Sequence, residues 1–260
     1  MTHVVEYGTG AAVLMLHGIG GSSDSFAPQF AGLSDSLRVM AWDAPGYARS
    51  SDPGREMDLD GYADAAAAVI RDRCGDDGAH VLGMSWGGVI ATRLALRHPE
   101  LVRSLILGSS TVGSGTCKDS ADTMRSRVAD LAQSGSQDFA DRRAPRLLSD
   151  NAPGELTHRA TAIMAEAVRL PGYRWAAESM AATDHTGDLP KIDVPTLVLC
   201  GDSDAVTGIP ASQALAGGIP GAVLVTVRGA GHLANQERPD TFNAWTESFV
   251  QITERLHNHS

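Results

Sequence analysis

Three cysteines in 260 residues, Cys74, Cys117 and Cys200, are too few and too scattered for a disulfide framework or a zinc site. They read as free thiols, which suits a reducing compartment. Basic residues are also scarce, with 21 Lys and Arg against 31 Asp and Glu, a net charge of −10. Such a chain lacks the clustered basic face that nucleic acid or an anionic membrane surface calls for. No apolar run approaches the roughly 18–20 residues of a membrane span. The opening MTHVVEYGTG has no basic segment, and the apolar run from Ala11 to Leu16 is shorter than a signal-peptide core, so no secretory leader is expected. G-x-G-x-x-G is absent and no Gly-Lys-Ser/Thr follows the glycines at 18–21, which removes the dinucleotide and P-loop readings. No two histidines stand at i, i+4, so no metal is implied.

What is present is the material of an ordinary globular enzyme. A chain of this length buries roughly 70–75% of its unfolded surface and builds its own core. The expectation is a soluble cytoplasmic protein with no cofactor and a small-molecule substrate as its partner; a homo-oligomer stays open. Short apolar runs alternate with helical patterns, the mark of an α/β protein with a mostly parallel sheet of about seven or eight strands and helices on both faces. The runs lie at Val4–Tyr7, Ala12–Leu16, Arg38–Trp42, His80–Leu82, Ser104–Leu107, Pro195–Leu199 and Ala222–Val227. Because only one strand precedes Ala12, seven is the number expected. Helices are expected at Leu59–Arg73, Trp86–Arg97, Ala211–Ala216 and Asp240–Leu256. From Thr111 to about Pro190 the strands stop and amphipathic stretches broken by Pro145, Pro153 and Pro171 take over. The chain thus divides into a core (1–110 and 191–260) and a helical insertion (111–190) carrying nine bases against eleven acids.

Gly83-Met84-Ser85-Trp86-Gly87 fits G-x-S-x-G, a sharp strand-to-helix turn that lifts a serine hydroxyl above a sheet. The strand AHVLG before it and the helix WGGVIATRLALRH after it supply the context that a short motif lacks alone. A serine at neutral pH needs a base, and the base needs an orienting group. Pro195–Leu199 runs into Gly201-Asp202-Ser203-Asp204, and the next strand runs into Gly229-Ala230-Gly231-His232. Spacing allows either Asp202 or Asp204 as the acid and points to His232 as the base. His17-Gly18-Ile19-Gly20-Gly21 after AAVLML supplies a glycine-rich turn whose backbone N–H, with that of Trp86, would form an oxyanion hole.

The ordered set HGIGG, AWDAPGYARSS, GMSWGG, PTLVLCGDSDAVTG and GAGHLANQERPDTF resembles the α/β-hydrolase superfamily from the first strand to the last helix. The resemblance implies Ser85 as nucleophile, His232 as base and Asp204 as acid, the last from its place as fourth residue of the Gly201–Asp204 turn. It also implies Ile19 and Trp86 as the oxyanion N–H donors and the insertion as a helical cap. ALRHPELVRSLIL, GHLANQERPDTFN and GYRWAAESMAATDHTGDLPKIDVPTLVL are similar to bacterial 3-oxoadipate enol-lactonases and related esterases. The meta-cleavage C–C bond hydrolases share triad and cap, but carry tryptophan soon after the catalytic histidine where this chain has Leu233. Both groups carry methionine after the nucleophile where this chain has Trp86.

Three readings follow: a serine hydrolase of a small ester or enol-lactone, a C–C bond hydrolase of a ring-fission product, and a non-catalytic ligand-binding protein. The first two groups act on carboxylates, so a cap arginine would be the anchor. Arg125 and Arg146, with Arg127, Arg142 and Arg143, are the candidates. Gly18, Tyr173, Trp175 and Leu233 are further candidates for substrate contact. The overall charge opposes long-range attraction of a dianion.

Overall fold

The structure is a computed structural model that describes residues 1–257; His259, read from sequence as a structural or surface residue, lies outside them. The apolar runs become β1 (His3–Tyr7), β2 (Ala12–Leu16), β3 (Arg38–Asp43), β4 (Ala79–Met84), β5 (Val102–Gly108), β6 (Thr196–Gly201) and β7 (Val223–Val227). They form one sheet in the order β1-β3-β2-β4-β5-β6-β7, parallel throughout except for the antiparallel β1–β3 pair. Seven strands are seen among the described residues, the number expected.

Side chains alternate across a strand, so each central strand feeds two cores. Leu14, Leu16, Trp42, Val81 and Leu107 enter one, covered by α2 (Leu59–Cys74) and α3 (Trp86–Arg97). Val13, Met15, Ala41, Leu82 and Ile106 enter the other, with Phe26 and with Phe242 from the last helix. That burial on both faces is why β4 and β6 are solvent-shielded along their whole length. A short helix, α1 (Ala27–Leu33), stands where no helix was expected; its Pro28 sits in the first turn, where a missing N–H costs nothing.

Between β5 and β6 the described chain holds three α-helices and no strand: α4 (Lys118–Arg143), α5 (Gly154–Ala167) and α6 (Gly172–Ala181). Gly135, at φ 76°, breaks α4 into two pieces. The start of α6 presses on the core at Gly46, where a Cβ would lie 2.8 Å from the Cα of Gly172. After β6 come α7 (Gly208–Gly218), α8 (Ala234–Glu237) and α9 (Pro239–His257). No helix among the described residues is long and apolar enough to cross a membrane.

Because the inner strands run parallel, the loops after β2, β4, β5, β6 and β7 gather at one edge of the sheet, where open α/β sheets bind ligands. The first turn of α3 lies unusually close there. A Cβ on Gly87 would sit 2.0 Å from the carbonyl oxygen of Leu16, and one on Gly83 2.3 Å from that of Gly87. Gly87→Ala therefore has to push helix and strand apart. We expect it to lower stability by about 1–3 kcal/mol, read as a reduced urea midpoint.

Two buried histidines contribute to the fold's acid sensitivity. His80 and His185 are fully buried, and burial pushes both down to about 4. His80 faces the Ser104 hydroxyl at 2.7 Å and the Glu254 carboxylate at 3.0 Å, the latter also paired with Arg103. The unfolded chain takes up protons below about pH 6.5 that the folded chain refuses until about pH 4. Their contribution to stability is therefore full above pH 6.5 and is lost as pH is lowered through this window. His80→Gln should flatten that slope by about one proton's worth, measured by urea unfolding at half-unit steps from pH 4 to 7.

Candidate active site

Ser85 precedes α3 with φ 52° and ψ −116°, a conformation that a residue with a Cβ adopts only under constraint. The constraint is visible on both sides of it. Its N–H donates to the Gly108 carbonyl at the end of β5 (2.8 Å). Its own carbonyl accepts from the Gly88 N–H (2.9 Å) and from the Ser110 hydroxyl (2.9 Å). The turn thus holds the Ser85 side chain above the sheet edge, at the positive end of the α3 dipole.

Beyond β7, His232 is 4% exposed. Its Nδ1–H donates to Oδ2 of Asp204 at 3.0 Å. Oδ2 also accepts from the Thr207 hydroxyl (2.7 Å), and Oδ1 accepts from the backbone N–H groups of Val206 (2.8 Å) and Thr207 (3.1 Å). Burial pushes the Asp204 carboxyl up. The hydrogen bond and charge of His232, with the Thr207 and Val206 donors, outweigh it and hold the group well below the usual carboxylate range. Asp202, the other acid that spacing allowed, is turned elsewhere: it accepts from the Gly229 N–H at 2.7 Å and ties the β6 and β7 loops together.

The glycine turn after β2 lies against the serine. A Cβ on Gly18 would fall 3.3 Å from that of Ser85 and 3.9 Å from its Oγ. Fully buried His17 orders this turn: its Nδ1–H donates to the Gly18 carbonyl (2.8 Å), while Nε2 accepts from the Ala44 N–H (2.9 Å). Burial lowers its pKa, against the Gly18 bond and the Asp43 charge, which fits a neutral ring that must accept at Nε2. Ile19 follows Gly18 on the cavity wall, and Trp86 opens α3, where the first N–H groups have no intrahelical acceptor.

Ser85, His232, Gly18, Ile19 and Leu233 all line one cavity of about 730 Å³. Its far wall is built by α4, α5, the residues joining them and the start of α6, including Phe139, Leu147, Leu148, Met164 and Tyr173. Arg127, Arg143 and Arg146 line the same space. Burial pushes the Arg143 guanidinium's pKa down, and Arg127 pushes the same way, although a guanidinium stays charged at neutral pH. Arg143 stacks 5.2 Å above the Phe139 ring, and no carboxylate of the described residues forms an ion pair with any of the three. A second cavity of about 410 Å³ shares Ser85, Ile19, Arg127 and Val206, and adds Trp86 with the hydroxyls of Thr111, Ser114, Thr123 and Thr207. The Trp86 indole is fully buried, edge-on to Tyr62 and hydrogen-bonded through Nε1–H to Ser179 of α6 at 3.1 Å. Among the described residues no group of three or more His, Cys, Asp and Glu side chains comes together as metal ligands.

Two expected substrate contacts lie elsewhere. Arg125 lines neither cavity; it forms a two-pronged surface pair with Glu178 (2.8 and 2.7 Å). Arg127, two residues on and about 200° around the helix, is the one that faces inward. The same step separates inward Tyr173 from half-exposed Trp175, which lines neither cavity. Sequence reasoning missed Thr207, although D-x-x-T at a loop-to-helix junction is the signature of a carboxylate accepting from the next turn. It also missed Ser110 and Ser179, which only tertiary contact brings to the site.

Comparisons with known proteins bear on the family and the fold. The sequence pattern of the α/β hydrolase fold matches residues 11–239. A 2-hydroxy-6-oxononadienedioate/2-hydroxy-6-oxononatrienedioate hydrolase of a Pseudomonas species is 28% identical, over 95% of this chain and 91% of its own. The 3-oxoadipate enol-lactonase 2 of Acinetobacter baylyi is 25% identical, over 92% and 88% respectively. Among solved structures, a thermophilic esterase from Thermogutta terrifontis superposes with a TM-score of 0.88 at 25% identity, covering 97% of this chain and 93% of its own. The seven-stranded sheet, the strained serine turn and a match over most of the length lead to one conclusion: the chain belongs to the α/β-hydrolase fold family.

Proposed function

We propose that the protein is a cofactor-independent serine hydrolase that cleaves a small ester or enol-lactone through Ser85, His232 and Asp204. The observation that carries this reading is the 3.0 Å bond from His232 to an otherwise fully satisfied Asp204, on the wall of the cavity that Ser85 also lines. Ser85 Oγ attacks the carbonyl carbon while His232 Nε2 takes its proton, and Asp204 stabilises the imidazolium that forms. The backbone N–H groups of Ile19 and Trp86 stabilise the oxyanion, each worth about 3–4 kcal/mol in such sites. His232 then returns the proton to the leaving group, and water releases the acyl group with His232 again as base. His232 lines the larger cavity and not the smaller one, which favours the leaving group in the larger space. Residues of the helical cap, 111–190, supply one wall of that space.

The unpaired Arg127, Arg143 and Arg146 favour a second reading within the same machinery. A half-buried guanidinium without a carboxylate partner, as at Arg127 and Arg143, is a ready site for an acid on the substrate, whereas Arg146 stands exposed at the rim. The Pseudomonas relative is named for a dioate, and C–C bond hydrolysis of a carboxylated ring-fission product would use the same nucleophile and base.

Two measurements test these statements. Ser85→Ala should lower kcat on p-nitrophenyl esters by about four orders of magnitude or more with KM little changed; near-wild-type turnover would sink the assignment. Arg143→Met should raise KM about tenfold for an ester ending in a carboxylate and leave a neutral ester of the same length nearly unaffected. Equal effects on both would remove the carboxylate reading and leave the simple ester one.

A further inference from the structure

The stretch after the base, Ala234–Arg238, contains an acid that the chemistry above does not use. Glu237 ends α8, and its carboxylate meets two segments of chain at once. Oε1 accepts from the Gly231 N–H and from the Ser149 N–H, both at 2.9 Å; Oε2 accepts from the Ser149 hydroxyl at 2.6 Å. On the other side of His232, the Leu233 N–H donates to the Leu147 carbonyl at 3.1 Å. Both backbone neighbours of His232 are therefore tied to the same three-residue segment, one directly and one through Glu237. The approach is close: a Cβ on Gly231 would lie 2.6 Å from the Ser149 nitrogen and 2.9 Å from Oε1 of Glu237.

Glu237 is half-buried and takes part in no ion pair among the described residues. Its charge is met only by these backbone and hydroxyl donors, a geometry in which an ionised acceptor is about twice as strong as a neutral one. The segment it holds is also the cavity wall, since Leu147 and Leu148 line the space beside Ser85.

We infer that Glu237 is a positioning residue for His232: it fixes the backbone of the base against the 147–149 segment, while Asp204 fixes the ring. This rests on the reading of His232 as the general base. An imidazole held only through Nδ1 can swing about that bond, carrying Nε2 away from the serine, and a displacement of about 1 Å can cost up to about 100-fold in rate. Aspartate in place of glutamate is one methylene too short to reach both N–H groups. Glutamine is long enough, because its amide oxygen can accept both N–H bonds while the Ser149 hydroxyl turns to accept from the amide nitrogen.

The experiment is a kinetic cycle on p-nitrophenyl acetate, a substrate small enough not to depend on the Leu147–Leu148 wall. Glu237→Ala should lower kcat about 10- to 100-fold with KM within about twofold, and Glu237→Gln should recover most of the loss. In a His232→Ala background, Glu237→Ala should add nothing, because its effect runs through the missing ring. Where the alanine variant fails to fold, Glu237→Asp keeps the charge and should show the same kcat loss and the same absence of effect without His232. Wild-type kcat in Glu237→Ala or Glu237→Asp, or an equal loss in both backgrounds, would overturn the positioning role. Activity surviving in His232→Ala alone would instead overturn the reading of the base, which is a separable result.

Discussion

Everything at the mouth of the cavity depends on how closely the first turn of α3 lies against the ends of β2 and β4. Gly83 and Gly87 leave no room between backbones, and that contact forces the residue between them to a positive φ. A strained non-glycine residue costs about 1–3 kcal/mol. The burial of Trp86, Val89 and Ile90 on the same helix offsets it, at roughly 1.5–3 kcal/mol for each large side chain. Had α3 stood further from the sheet, Ser85 could relax, but its hydroxyl would drop and the free N–H of Trp86 would aim away from the Gly18–Ile19 turn. The strain and the candidate chemistry share one cause.

The charges of the site are arranged by local donors rather than by the protein's net charge. Asp204 stays ionised in a buried place because four donors surround it. His17, with similar burial and a carboxylate nearby, stays neutral because its two ring nitrogens are committed to one acceptor and one donor. The chain as a whole carries −10, yet three arginines against one aspartate, Asp150, line the cavity. At physiological ionic strength, fields from exposed acids fade within about 8 Å, so the charges that line the cavity, basic on balance, set the potential inside. An overall charge that opposes anionic ligands is therefore compatible with a pocket that prefers them.

Much of this was legible in the sequence, and the reasons differ by element. The inner strands are buried on both faces and read as continuous apolar runs; β2 was placed at Ala12–Leu16 and stands there, and β7 moved by one residue. The family resemblance was legible because its motifs are local turns whose glycines have steric work to do. The helices of residues 109–195 were less so. α4 is mostly polar and broken at Gly135, so no single periodicity tells which arginine faces inward. Arg125 and Arg127 differ by about 200° on one helix, and only packing against α6 decides between them. Glu237 was hidden for another reason: its partners are backbone N–H groups 6 and 88 residues away, and backbone leaves no mark in a sequence.

The most direct test is to trap the covalent intermediate. The protein would be mixed with an activated ester, quenched in acid within milliseconds, and digested for mass spectrometry. If Ser85 carries the reaction, one acyl group per chain appears on the peptide containing Ser85, forms far more slowly in His232→Ala because the base for acylation is missing, and is absent in Ser85→Ala. Turnover with no adduct on Ser85, or an adduct that persists in Ser85→Ala, would contradict it.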